Sequence, residues 1–324
     1  MSLSVAVIGV GYLGTFHAEK YARIPDCELV AVADPDHEAA QSCASRFGVR
    51  AVSDHRELLG QVEAVSIAAP TRLHYPIARD FLAHGAHVLI EKPITTTVAE
   101  ADELIELAAA QRRLIQVGHL ERFNPALRAA DAILDRPRFI ETHRLAPFNP
   151  RGTDVDVVLD LMIHDIDIIL DIVDSSVARV DASGTPVLTE ATDIANARIQ
   201  FTNGCVANVT ASRVSSRTER RMRFFQHDSY LAVDFHNRRL SVHRKGDTEM
   251  YPGIPEVISE QHEFERSDAI LEEIRSFVEA IRDNTTPLVS GADGRRALAT
   301  AIDITAMFDA GLEPAPAAGS GDPP

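Results

Sequence analysis

The sequence predicts an α/β protein with two domains. The first is an N-terminal doubly wound parallel sheet, the second a C-terminal α+β domain with an open, mostly antiparallel sheet. Three observations carry the prediction. Strand-like and helical runs alternate from residue 4 to 118. The loop Gly9-Val10-Gly11-Tyr12-Leu13-Gly14 stands between the first strand and the first helix. Beyond Leu134, strand candidates follow one another, with Asn203-Gly204 as a hairpin turn between two of them. Alternation of β and α implies a parallel sheet covered on both faces, and right-handed crossovers wind it in both directions. Consecutive strands joined by tight turns imply antiparallel pairing.

The strand-like runs of the first part are Ser4–Ile8, Glu28–Ala33, a weaker Arg50–Val52, Ala64–Ala68, His87–Glu91 and Leu114–Gly118. Helical patterns lie between them at Leu13–Arg23, His37–Phe47, Leu73–His84 and Val98–Gln111. The last opens on Thr97 with Glu100 three residues on, a capping box. The glycine loop in this strand-to-helix setting makes the first domain, residues 1–120, a Rossmann domain. A helix at Asn124–Leu134 joins it to a second domain spanning 121–312. There Arg138–Leu145 reads as a strand and Val157–Val173 as a long helix. Strands are expected at Ala178–Leu188, Ile194–Phe201, Cys205–Ser212, Arg220–Gln226, Tyr230–Asp234 and Leu240–His243, then helices at Asp268–Arg282 and Gly291–Ala310. The tail 313–324 is Pro, Ala, Gly and Ser with almost no apolar bulk, and is expected to be disordered. An open sheet with helices on one face leaves its other face uncovered, so we expect a homo-oligomer, a dimer or tetramer, formed through the C-terminal sheet.

Composition narrows the function. A formal net charge of -16 over 324 residues argues against nucleic acid and against anionic membrane surfaces as partners. Three scattered cysteines without a Cys-x-x-Cys pair suit a reducing compartment. The N-terminus runs straight into strand-like sequence, and no apolar run approaches the ~20 residues of a membrane span. A cytoplasmic protein is expected.

Four constellations carry chemistry. In the glycine loop, Gly9 allows the tight turn, Gly11 lets the backbone approach a pyrophosphate, and Gly14 lets helix and strand pack closely. The free N–H groups that open the helix, at Tyr12 and Leu13, can then hold phosphate. Asp34 ends the second strand, twenty residues after Gly14, where a carboxylate accepts the ribose hydroxyls of NAD and repels the 2′-phosphate of NADP. The loop Ala69-Pro70-Thr71, with His74 in the following turn, should pass over the nicotinamide half of the cofactor; His74 could equally be a polar residue of a first helical turn. Glu91-Lys92-Pro93 places a lysine at the carboxyl end of a parallel strand, facing the ligand crevice. On the long helix, Asp160, His164, Asp167 and Asp171 share one stripe. That stripe could be a solvated face, an acid–base set or a metal site, but no further His or Cys cluster completes a metal site and hydride transfer requires none. Arg213, Arg217, Arg220, Arg221 and Arg223 form a basic cluster, suited to a substrate phosphate or to an exposed or intersubunit salt-bridge patch.

Together these residues resemble the glucose–fructose oxidoreductase, inositol dehydrogenase and rhizopine-catabolism (Gfo/Idh/MocA) family. The resemblance is carried by Gly9–Gly14, Ala69-Pro70-Thr71 with His74, Glu91-Lys92-Pro93, Phe123-Asn124-Pro125, Asp160–Asp167 and Pro287–Ser290, and it covers about residues 4–310. It implies NAD(P)-dependent oxidation of a sugar or cyclitol hydroxyl, with Lys92, Asp160 and His164 at the reaction centre and Glu91 and Lys92 beside the cofactor. Many members carry glycine where this chain has Met162, which would narrow the pocket or turn outward. Val117–Pro125 and Val157–Asp167 resemble the UDP-N-acetylglucosamine 3-dehydrogenases, which make a 3-keto sugar for diamino-sugar synthesis in lipid A. That resemblance implies a nucleotide-sugar substrate, with Arg122, Arg144 and Arg213 as candidates for its diphosphate and His119 nearer the sugar; each has a plain alternative as a structural ion-pair partner.

The expected chemistry is removal of hydride from a carbinol carbon and of a proton from its hydroxyl. His164, with an ordinary pKa of ~6.5, suits the base near neutrality, and Asp160 one turn earlier could orient it. Lys92 could share the proton or stay charged and stabilise the forming alkoxide. A dehydrogenase of a UDP-sugar acid or of inositol is the enzymatic alternative. A nicotinamide-binding sensor without turnover is the alternative from another class, against which the presence of Lys92, Asp160 and His164 argues.

Overall fold

A computed structural model describes residues 2–150 and 155–310; the tail expected at 313–324 lies outside them. The first domain runs β1 (Leu3–Ile8), α1 (Tyr12–Tyr21), β2 (Cys27–Ala33), α2 (His37–Phe47), β3 (Arg50–Val52), β4 (Ala64–Ile67), α3 (His74–Ala83), β5 (His87–Glu91), α4 (Val98–Gln111) and β6 (Ile115–Gly118). The sheet order is β3-β2-β1-β4-β5-β6, parallel throughout. Its strands are apolar on both faces because both are covered. Ile8, Val65, Ile90 and Val117 pack toward α3 and α4, while Val5, Val7 and Leu89 pack toward α1. The capping box forms: Thr97 accepts from the Glu100 N–H, and Glu100 reaches back to the Thr97 N–H.

The second domain follows with α5 (Pro125–Asp131), β7 (Phe139–Leu145), α6 (Ile163–Val173), β8 (Val177–Thr185), β9 (Ile194–Phe201), β10 (Val206–Ser212), β11 (Glu219–Gln226), β12 (Ser229–Asp234), β13 (Arg239–Tyr251), β14 (Ile254–Glu263), α7 (Ala269–Asp283) and α8 (Gly291–Ala310). Eight strands form one sheet in the order β14-β13-β12-β11-β7-β10-β9-β8. Every neighbour is antiparallel except β7 and β10. Alternate residues such as Ala207, Val209 and Ala211 of β10 are buried against α6 and α8, with Ile166, Ile169 and Ile304 opposite.

Three features differ from the sequence reading. β13 runs to Tyr251, and β14 was not anticipated at all. Beyond Lys245 this hairpin is largely exposed on both faces, so it lacks the period-two apolar alternation that marks a half-buried strand. Its turn was legible, since Pro252-Gly253 joins paired Tyr251 and Ile254, with Gly253 at φ +77°. The long helix opens as a single π turn over Val158–Met162 before α6 begins. Finally α7, which lies within 121–312 in sequence, packs under the first sheet: Ile274, Phe277 and Val278 share a core with Val5, Val7 and Leu89. The amphipathic pattern of α7 identifies a buried face without saying which sheet receives it.

Gly14 is the tightest point of the first domain. A Cβ there would lie 1.8 Å from the Gly9 carbonyl oxygen, so β1 and α1 would have to separate. Gly14→Ala is expected to lower stability by about 1–3 kcal/mol, read as a fall in thermal midpoint with weakened NADH binding. An unchanged midpoint would show that the loop tolerates the added methyl.

Candidate active site

The glycine loop divides its labour as its spacing suggests. Gly9 has φ +85°, a left-handed conformation, and lies against the Ala68 carbonyl. A Cβ on Gly11 would meet no heavy atom within 4 Å, so the backbone there is open to a ligand. Asp34 accepts the Val10 N–H through Oδ2 at 2.8 Å and the Asp36 N–H through Oδ1 at 2.9 Å, fixing the carboxylate at the loop. A cavity of about 940 Å³ opens beside these groups, with Gly11, Tyr12, Leu13, Asp34, Ala69 and Pro70 in its lining. An open glycine, a helix N-terminus and a carboxylate at the end of β2 fit a dinucleotide. Thr71 opens the short turn Thr71–Leu73 next to this lining. Arg56 and Arg72 also line the cavity and were not singled out from sequence. They sit on short turns whose approach depends on the sheet order.

Two residues expected near the cofactor face elsewhere. The ring of His74 is buried, with Nδ1 2.9 Å from the Pro93 carbonyl and Nε2 2.8 Å from the Ala69 carbonyl. It ties the loop after β4 to the loop after β5. A neutral ring can donate to only one of these oxygens, and burial holds its pKa below the ordinary value, against the pull of the two carbonyls. The Glu91 carboxylate turns behind the sheet, 3.0 Å from His17 Nε2 on α1. Residues Glu91 and Lys92 follow one another at a strand end, and successive side chains of a strand take opposite faces.

Lys92 reaches across to the second domain. Its Nζ donates to the Asp160 carbonyl at 2.7 Å and to Asp160 Oδ1 at 3.3 Å. Asp160 sits on the π turn, and this explains a correction. It was expected to orient His164 from one turn away, but the wider turn displaces the stripe, and its carboxylate pairs with Lys92 instead. His164 stands partly open to the crevice, with a buried Nδ1 that has no hydrogen-bond partner. Desolvation first, then the charges of Lys92, Arg144 and Arg220 and the adjoining His119, hold its pKa well below 6.5. His119 lies edge-on to it, ring centroids 6.0 Å apart, with its own pKa pushed down to about 3 by burial and by Lys92. Behind them Asp167 is buried, and desolvation raises it to about 7. The arrangement is therefore an imidazole held toward its neutral form beside a lysine paired with a carboxylate. Met162 turns away from it, fully buried in the second core.

The three arginines expected at a diphosphate are engaged internally. Arg144 is buried, forked on Asp165 at 3.1 and 2.7 Å, and bonded to Glu121 at 2.8 Å. Burial would lower its pKa, but these two carboxylates reverse that and push it up. Arg122 pairs with Asp171 at 2.7 Å and donates to the Leu288 carbonyl at 3.1 Å. Arg213 bonds Asp193 at 2.7 Å and Thr189 at 3.1 Å. Asp193 also accepts three backbone N–H groups, from Val187, Leu188 and Thr189. Internal charge must be paired to be tolerated, and these arginines pair it. Of the basic cluster, Arg217 and Arg221 are exposed and Arg223 pairs with Glu141. Arg220 lies 3.6 Å from Glu121, but its side chain is 47% exposed and its charge is felt at both His164 and Asp165.

Arg144→Met would strand the buried Asp165 without its cation and leave Glu121 only Arg220 at 3.6 Å, and a loss of about 3–5 kcal/mol is expected, measured by denaturant unfolding. A variant of unchanged stability but poorer substrate KM would return Arg144 to the substrate.

Comparison with known proteins agrees with this fold. Residues 3–119 match the model of an oxidoreductase family with an NAD-binding Rossmann fold, and residues 127–229 match the GFO/IDH/MocA C-terminal domain. The chain is 40% identical over 312 residues to a UDP-N-acetylglucosamine 3-dehydrogenase of Acidithiobacillus ferrooxidans, covering 96% of this chain and 99% of that one. The crystal structure of that organism's enzyme, GnnA, superposes with a TM-score of 0.90 over 97% of this chain and 100% of that one, at 38% identity. An inositol 2-dehydrogenase of Rhizobium meliloti is 27% identical, over 93% of this chain and 95% of its own. The scyllo-inositol dehydrogenase of Lactobacillus casei, solved with NAD(H) and scyllo-inositol, shares the fold at a TM-score of 0.80 and 19% identity, over 96% and 98% of the two chains. The protein is thus a member of the GFO/IDH/MocA family of NAD-binding oxidoreductases.

Proposed function

We propose that the protein oxidises a secondary hydroxyl of a nucleotide sugar to a ketone with NAD, the hydroxyl being C3 of UDP-N-acetylglucosamine. One observation carries the chemistry: Lys92, at the end of β5, meets the Asp160 turn across the crevice, with His164 beside them. The choice of sugar is supported by the 40% identity to the Acidithiobacillus ferrooxidans enzyme over nearly the whole chain. NAD, when bound, supplies the hydride acceptor. Gly9, Gly11, Gly14 and Asp34 would hold it, with Ala69 and Pro70 along the cavity wall. His164 is neutral at physiological pH and takes the hydroxyl proton. Lys92, held by its two bonds to Asp160, stabilises the alkoxide that forms. Asp160 holds Lys92 in place, and His119 shapes the sugar side of the pocket. Arg220 takes the diphosphate role first assigned to Arg122, Arg144 and Arg213.

The face of the second sheet away from α6 supports a homo-oligomer. Phe139, Phe225, Tyr230 and His243 stack in a row across it, with centroids 5.8, 5.4 and 4.2 Å apart. A second copy of the sheet would cover this row, and light scattering should give a dimer or tetramer mass. No helix of the described residues is long and apolar enough to cross a membrane. A cytoplasmic location follows from the NAD-dependent reading.

The test is NADH formation with UDP-N-acetylglucosamine against free cyclitols and UDP-sugar acids. Lys92→Met should lower kcat by about 100-fold or more, and normal turnover would remove Lys92 from the chemistry. The pH profile checks His164 separately. A base with a depressed pKa is lost only when protonated, so kcat/KM should hold from neutrality down past pH 6.5 and fall only at more acid pH. His164→Asn should abolish that acid limb. An acid limb centred at or above pH 6.5, or one that survives in His164→Asn, would assign the proton to another group.

A further inference from the structure

On the opposite side of the sheet from the crevice, three ionisable side chains from three elements converge: His17 of α1, Glu91 of β5 and Glu273 of α7. All are buried, and one ligating atom of each lies within 4.8 Å of the others. His17 Nε2 is 3.0 Å from Glu91 Oε1. Glu273 is wholly buried, yet neither carboxyl oxygen has a hydrogen-bond partner and no cation pairs with it among the described residues. Gln116 of β6 joins the group, its Nε2 donating to the Glu273 carbonyl at 2.9 Å. Tyr21 of α1 also faces it, with its hydroxyl on Ser66 at 2.9 Å. Two buried carboxylates this close cannot both carry charge without a counterion.

We infer that His17, Glu91 and Glu273 form a proton-sharing clamp, with Glu273 the protonated member, which ties α7 to the end of β5 and thereby positions Lys92. A protonated Glu273 has a carboxyl oxygen within 4.8 Å of Glu91 and of the His17 imidazole, which is itself 3.0 Å from Glu91. Glu91 is then held from α1 and α7 together, and Lys92 is its covalent neighbour. Space enforces the placement as well: a Cβ on Gly118 would lie 2.9 Å from Glu91 Oε2, so the wall of the site admits only glycine there without displacement. Desolvation, and then the charge of Glu91, raise the pKa of Glu273 well above 4.5, in agreement with a neutral acid. The clamp joins a helix from the end of the chain to the strand that carries the reactive lysine, so the order of the C-terminal segment is felt at the active site.

The positioning half of this inference rests on Lys92 acting at the reaction centre; the proton half does not. A carboxyl whose pKa is raised on folding binds more protons when folded, so its contribution to stability declines as pH rises from its ordinary value. Glu273→Gln keeps the shape and an N–H donor but cannot ionise. The thermal midpoint of Glu273→Gln, relative to wild type, should therefore rise as pH is raised above 4.5, while titrations common to the two proteins cancel. Parallel midpoint curves would overturn the protonated acid. A divalent metal retained stoichiometrically by purified wild type would overturn it too, since a cation would then neutralise the carboxylates. For the positioning half, Glu273→Gln should keep wild-type kcat at neutral pH. Glu273→Leu, if folded by circular dichroism, should lose about tenfold or more in kcat with little change in the KM for NAD. Equal kcat in all three proteins would leave the clamp a stability element and overturn its link to Lys92. A failure of the UDP-sugar reading would leave the midpoint comparison intact, so the two are separable.

Discussion

Everything at this site depends on one strand end. At the carboxyl terminus of β5, consecutive residues send opposite charges to opposite sides: Glu91 goes behind the sheet to His17, and Lys92 goes forward to Asp160. A β-strand imposes that division geometrically. On the proposed reaction Lys92 must be placed to within about an ångström of the forming alkoxide, and a lysine side chain is long and flexible. The protein removes this freedom from both ends. The backbone is held through Glu91, and the ammonium is held by the carbonyl and carboxylate of Asp160.

The net charge of -16 conceals how the cations are deployed. Arg122, Arg144 and Arg213 are all buried, each on carboxylates, and each connects pieces of chain that pack only once the second domain is formed. Such pairs add little stability over an apolar substitute, but losing one partner is costly. Their effect is to set register. Arg144 fixes α6 against β7 through Asp165, and α6 follows directly on the turn that presents Asp160. A buried charge network thus fixes the helix that follows the turn where Lys92 finds its partner.

This explains which parts of the molecule were legible from sequence. The glycine loop, Asp34 and the alternation of strands and helices are local patterns, and they state their geometry directly: Gly9 needs φ > 0, and Gly14 must admit the neighbouring backbone. Lys92, Asp160 and His164 were recognisable as a set. Their internal wiring was not, because the stripe drawn at 3.6 residues per turn assumes a regular helix and Val158–Met162 forms a π turn. Arginine side chains reach many partners, so sequence alone left open whether Arg122, Arg144 and Arg213 faced ligand or protein. The β14 strand was missed because the Lys245–Glu263 hairpin buries little on either face. The packing of α7 under the first sheet is a long-range fact, carried by Ile274 and Phe277, for which its amphipathic pattern gives no address.

That long-range fact has a mechanistic consequence. With α7 returned to the first domain, and Gly294 of α8 close against Val117 of β6, the segment after β14 braces the Rossmann sheet from both sides. The two domains are therefore not beads on a single linker. They are joined at Asn124, at the β14-to-α7 return and by the Lys92–Asp160 bond. These connections, with α8 packed on β6, are spread around the crevice and resist wide opening. Burial around that crevice is the first cause that holds His164 below its ordinary pKa, and the neighbouring charge of Lys92 is the second. On the proposed reaction, the same burial leaves the imidazole available as the proton acceptor, while Asp160 holds Lys92 where the oxygen left behind is stabilised.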